Sequence, residues 1–235
     1  ERGHVSPVAA RIVLKALYLA RFGRPDILWS VNNLARQVTK WTVACDKRLH
    51  RMIAYLHHTY NHTLKCWVGD TVDKLRIACW CDADLAGCLQ DSKSTSGCYI
   101  AVIGPHTFVP ITWSCKKQGA TSHSSTEAEI ISMEAAVRTI GIPLLSLWDL
   151  VIETFMTPLE RKKLIPKKIK TVKLEPLYEW LNNVDFVPYT MPMSSGAAKL
   201  LVLEDNEPVL KILAKVRAPN LRHVHRTHRI DLDWI

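Results

Sequence analysis

Residues 122–129 read SHSSTEAE, a run of hydroxyls closed by two carboxylates, Glu127 and Glu129. Other acids stand where elements end. Asp82 and Asp84 follow the apolar LRIACWC, Asp205 follows LLVLE, and Asp231 lies near the C-terminus. Strand ends and helix starts place side chains on one rim of a sheet, where open α/β sheets bind their ligands. Carboxylates that meet there repel one another unless a cation joins them. Mg2+ suits such a set, because it takes carboxylate oxygens and keeps waters, leaving positions for phosphate oxygens. Two such ions about 4 Å apart can activate a water and stabilise the oxygen that leaves a phosphodiester.

The same residues have plainer readings. Ser124 and Glu127 stand at the spacing of a capping box, which starts a helix without any catalysis, and capping and metal binding are compatible. Glu129 then reads as the solvated neighbour. Asp84 competes with Asp82, since residues two apart on a strand point the same way. Glu204 competes with Asp205 and, by the same alternation, points to the opposite face.

Several elements must position these acids. Residues 8–60 read as three helices; in the second, Ile27, Val31, Leu34 and Val38 line one face. The third carries Leu49, Met52, Ile53 and Leu56 on one side and Lys47, Arg48 and Arg51 on the other. From residue 75 the period changes to two: Leu75, Ile77, Cys79 and Cys81 alternate along a strand. Segments 97–104 and 108–114 follow with a turn at Pro105 and His106, predicting three antiparallel strands. A helix is expected from about Ser124 to Ile140, with Ile131, Ala135 and Ile142 toward the sheet and Pro143 ending or kinking it. Residues 156–198 hold scattered prolines and a basic run at 160–173, and read as an insertion. LLVLED is a short strand ending in acids, and Val209, Leu210, Leu213 and Val216 predict a helix after it.

The chain has 235 residues, 48% of them hydrophobic, which is enough to bury a sizeable core. Its net charge is +9, and such a surplus favours polyanions, nucleic acid first. Seven cysteines without a C-x-x-C pair read as thiols in a reducing compartment, not as a disulfide framework or zinc site. His223, His225 and His228 lack cysteine partners at finger spacing; beside Arg222, Arg226 and Arg229 they suit phosphate contact or a solvated basic end. No signal peptide is expected. The apolar stretch 140–155, interrupted by Pro143, Asp149 and Glu153, is expected to be too short and too charged to span a bilayer.

Several of these motifs, in order and spacing, resemble the ribonuclease H domain of copia-type retrotransposon polyproteins. The stretch WCDADLAGCLQDSKSTSGCYIAVIG, then ITWSCKKQGATSHSSTEAE, LEDNEPVLKI and RTHRID carry the resemblance. Upstream, GRPDILWSVNNLARQV and LHRMIAYLHHT are similar to the tail of the adjoining reverse transcriptase. The resemblance implies an α/β fold: a ribonuclease H-like mixed sheet, its first three strands antiparallel, flanked by helices. It divides the chain into a helical reverse-transcriptase tail at 1–69 and a ribonuclease H-like domain at 70–235. It favours Asp82 over Asp84, and implies a metal-binding set of Asp82, Glu127, Asp205 and Asp231 holding two Mg2+ ions, with Mn2+ able to substitute. The implied activity is hydrolysis of the RNA strand of RNA–DNA hybrids, without polymerase activity. The implied partners are the hybrid and the rest of the polyprotein, with no membrane. Lys116, Lys117, Arg222, Arg226 and Arg229 would contact nucleic acid. The setting would be cytoplasmic, including virus-like particles, with the nucleus also open. The rival expectation is a truncated or inactive module that binds nucleic acid without cleaving it.

Overall fold

The computed structural model describes residues 1–88, 90–165 and 196–215, and positions 221, 224, 227, 228 and 230. Helices α1 (Ala9–Phe22), α2 (Leu28–Ala35) and α3 (Val43–His58) come first. Strands β1 (Arg76–Ala83), β2 (Thr95–Gly104) and β3 (Thr107–Lys117) follow, then α4 (Ser125–Ala136), α5 (Ile142–Phe155) and α6 (Pro158–Leu164). Strand β4 (Leu200–Leu203) and helix α7 (Glu207–Lys215) complete the described elements.

The sheet is mixed, in the order β3-β2-β1-β4. β1–β2 and β2–β3 are antiparallel, whereas β4 runs parallel to β1. Alternation along β1 sends Ile77, Cys79 and Cys81 into a core shared with Ile100, Ile130, Met133 and Val209. Ile100 and Ile130 are fully buried there, and each contributes roughly 2–3 kcal/mol by leaving water. On the other face the Tyr99 and Trp113 rings stack at 5.9 Å, and the Trp113 indole N–H donates to the Ala20 carbonyl of α1 at 2.7 Å. The Asn32 amide of α2 reaches the Cys115 carbonyl at 2.8 Å. The three N-terminal helices thus sit against β3 on one face, and α4 and α7 cover the other. The core of the N-terminal helices uses small residues, with Ala9, Val13, Ala16 and Ala20 of α1 joining Val31, Leu34, Leu49 and Met52. The cysteines are free thiols; Cys45, Cys79, Cys81 and Cys98 are buried and Cys66 is exposed.

Two expectations change. Pro143 does not end the helix: a π-turn at Val137–Gly141 leads into α5, and Pro143 falls in its first turn, where a missing N–H matters less. Ser125–Phe155 therefore forms one 31-residue helix, long and apolar enough by composition to cross a bilayer. Its first half is a core helix of the sheet, with Glu127, Glu129 and Glu134 buried along it. The face of α4 toward the sheet is centred on Ile130, Met133 and Ala136, with Ile131 packed at its edge, and does not include Ala135 and Ile142. Ser132 sets that rotation, since its hydroxyl donates to the carbonyls of Asp82 at 2.8 Å and Gly97 at 3.2 Å.

Candidate metal centre

The register of the sheet brings two acids level with each other. Trp80 of β1 pairs with Leu203 of β4. Asp82 and Asp205 each lie two residues further on, at the same end of neighbouring parallel strands. Helix α4 begins over this end, fastened by Ser132, and lowers Glu129 onto it. Ligand oxygens of Asp82, Glu129 and Asp205 lie within 4.8 Å of one another. Asp82 and Asp205 are exposed, while Glu129 is 6% exposed. The site is therefore open to water on one side and dry beneath.

The environment of Glu129 is unfavourable to an isolated carboxylate. Its Oε2 is buried and has no hydrogen-bond partner among the described residues. Burial pushes its carboxyl up to about 7, and the charges of Glu204, Asp82 and Asp205 add to the shift. Glu204 shares this character. It lies level with Cys81 on the inner side of the strand end, its Oε2 is also buried without a partner among the described residues, and burial raises its carboxyl. By alternation Glu204 belongs on the side opposite Asp205, and from there its charge still raises the Glu129 carboxyl. A buried carboxylate oxygen with neither proton nor partner is costly, and a shared divalent cation satisfies several at once.

This arrangement has a testable pH signature. The ordinary value for Glu129 is 4.5, and the fold raises it to about 7. The fold thus favours the neutral acid. Between those values ionisation burdens the folded state more than the unfolded one, so this group's contribution to stability falls as pH rises. A bound cation reverses the preference. In thermal scans, Mg2+ is expected to raise the melting temperature more near pH 8 than near pH 5, and Glu129→Gln is expected to flatten that difference. An equal Mg2+ effect at both pH values would contradict the assignment.

Glu127, the acid expected in the metal set, is not in the cluster. Its side chain is 1% exposed and serves the start of α4. The Ser124 hydroxyl accepts from the Glu127 N–H at 3.1 Å, in keeping with the cap spacing. The carboxylate accepts from the His123 N–H at 2.9 Å through Oε2 and meets His228 Nε2 at 3.1 Å through Oε1. Glu127 is two residues before Glu129, about 200° around the helix, so the two cannot face the same ion. The solvated-neighbour expectation for Glu129 is overturned with it.

The other expected residues divide. Asp84 accepts from the Thr95 N–H at 2.5 Å and closes the 84–95 loop, where a side chain at Gly87 would collide with it. Lys116 is exposed. Lys117 is not free: its Nζ lies 2.6 Å from Asp91, which it pulls down to about 2, and it donates to Cys88 Sγ at 2.9 Å. Asp231, Arg222, Arg226 and Arg229 lie outside the described residues, as do His223, His225 and most of the 156–198 insertion.

Comparison with known proteins points one way. The chain is 39% identical over 127 residues to the retrovirus-related Pol polyprotein from transposon RE1 of Arabidopsis thaliana, covering 54% of this chain and 8% of that polyprotein. It is 33% identical over 123 residues to an uncharacterised mitochondrial protein of the same plant, covering 52% of this chain and 48% of that protein. It is 32% identical over 130 residues to the putative transposon Ty5-1 protein of Saccharomyces cerevisiae, covering 55% and 40%. The chain thus spans less than half the length of each of these relatives. No family model matches the sequence. No solved structure matches it.

Proposed function

We propose that the chain is a ribonuclease H-like nuclease from a retrotransposon polyprotein, hydrolysing the RNA strand of RNA–DNA hybrids during reverse transcription. The observation that carries this reading is the meeting of Asp82, Glu129 and Asp205 at one end of a mixed sheet. The similarity to Pol polyproteins supports the setting, and the net charge of +9 supports a polyanionic substrate. Residues 1–69 would be the tail of the reverse transcriptase and 70–235 the nuclease domain. The work would take place in the cytoplasm, in virus-like particles or in the nucleus.

The donor set fits a pair of Mg2+ or Mn2+ ions: all-oxygen, anionic, dry below and open above. Asp82, Glu129 and Asp205 would hold them, with Asp231 as a further ligand. When bound, such ions supply a water of lowered pKa and neutralise the leaving 3′-oxygen. The chain's own residues do the rest. Ser132 holds the carbonyl of Asp82 so that this carboxylate keeps its place beside Asp205. Helix α4 keeps water from the inner side, so Glu129 offers its oxygens inward to a cation rather than to solvent. The hybrid would be read by shape and 2′-hydroxyls, not by base edges.

The test is cleavage of an end-labelled RNA–DNA hybrid. Mg2+-dependent cutting of the RNA strand alone, abolished by a chelator, is the expected result. Binding without cutting at any Mg2+ or Mn2+ concentration would replace the nuclease by the binding module.

A further inference from the structure

A cleft of about 730 Å3 separates α2 and α3 from the 84–95 loop of the sheet. One wall is Trp29, Asn33 and Arg36 of α2, at the i, i+4, i+7 spacing that aligns side chains along a helix. The facing wall is Arg48 and Arg51 of α3, one turn apart. The floor is formed by Cys88 and Thr95 from the sheet side.

The charge of this cleft is unbalanced. Its acid, Asp26, is already taken by the Arg24 guanidinium at 2.7 Å and the Tyr55 hydroxyl at 2.8 Å. Lys117 at its edge is neutralised by Asp91. Among the described residues, Arg36 hydrogen-bonds the Asn33 side-chain carbonyl at 2.9 Å and forms no ion pair. Arg48 and Arg51 are exposed and form no ion pair among the described residues. Three guanidiniums thus line a slot without counter-charges. On the α2 wall stands Trp29, 51% exposed and with no aromatic ring against it among the described residues. Cations along a slot with an open indole face are the features that bind one nucleic-acid strand: phosphates pair with arginines and a base stacks on the ring.

The cleft also leads to the acid cluster. Asp82 pairs with Gly97 across β1 and β2, and Thr95 is two residues along from Gly97. That is about 7 Å along the strand.

We propose that this cleft grips a single-stranded extension of the nucleic-acid substrate while the acid cluster works on the adjoining duplex. The inference rests on the reading of the chain as a hybrid nuclease, and assigns it a preference for hybrids with an unpaired extension. The test compares fluorescently labelled blunt hybrid with the same hybrid carrying a short single-stranded DNA extension, in binding titrations over a salt series. The parent protein is expected to bind the extended hybrid about tenfold more tightly. Arg48→Gln/Arg51→Gln is expected to abolish that difference and reduce the salt slope for the extended hybrid by roughly 1–2. Trp29→Ala is expected to reduce the difference with little change in slope. Equal affinity of the parent for both hybrids, or an undiminished preference in the double variant, would overturn the proposal. Because all three positions are exposed, melting temperatures will show that the variants fold. Cleavage of the blunt hybrid by the parent, read in the same samples, separates the claims: cutting without extension preference removes the cleft alone, and extension preference without cutting removes the nuclease reading alone.

Discussion

Glu129→Gln is expected to lower Mg2+-dependent cleavage of the hybrid by on the order of 10³-fold, and Glu127→Gln is not. The two residues are nearly adjacent, identical in type and both buried, so a general effect of removing charge from α4 would treat them alike. Their surroundings do not. Glu129 shares a 4.8 Å cluster with Asp82 and Asp205 and has a buried oxygen without a partner among the described residues. Glu127 spends its oxygens on the His123 N–H and on His228. Its amide isostere keeps one acceptor but loses the charge facing His228. The expected cost is stability, about 1–3 kcal/mol, with cleavage by the folded protein held within about tenfold. Single-turnover cleavage at a temperature where both variants are folded checks the pair. Loss of cleavage in Glu127→Gln with retention in Glu129→Gln would reverse the assignment.

Asp82→Asn is expected to abolish cleavage while hybrid binding persists. Asp82 is exposed, so the change disturbs no packing, and hybrid contacts are dominated by phosphates on a basic surface. The substitution should also raise the melting temperature in the absence of divalent ions. Asp82 is one of the charges that hold the Glu129 carboxyl up, and its removal relieves repulsion. Mg2+ should then give the variant little of the stabilisation it gives the parent. A variant that loses cleavage, binding and stability together would point to misfolding instead.

Part of this site is legible in the sequence. Period-two alternation marks β1, and acids just past two apolar strands belong at one rim of a sheet. Parallel pairing of β1 with β4 makes Asp82 and Asp205 level, as that placement requires. The structure gathers Glu129 rather than Glu127 with Asp82 and Asp205 among the described residues, and the same residues contain a reason. A glutamate at the third position of a helix behind a serine cap serves the helix terminus. Once Glu127 is assigned to that duty, the free carboxylate is the next one, Glu129. Pro143 reads as a stop, but helix α5 begins at Ile142, so the proline occupies a first turn and the π-turn before it absorbs the change. The cleft is not legible at all: Arg48 and Arg51 read as an ordinary solvated helix face, and only the fold sets α2 and the 84–95 loop opposite them.

The most direct test of the centre is a crystal of the protein soaked in Mn2+ and measured for anomalous scattering. The expected result is a peak within coordination distance, about 2.2 Å, of carboxylate oxygens from Asp82, Glu129 and Asp205. A crystal in which Mn2+ occupies other positions and leaves these three carboxylates without a peak would contradict it.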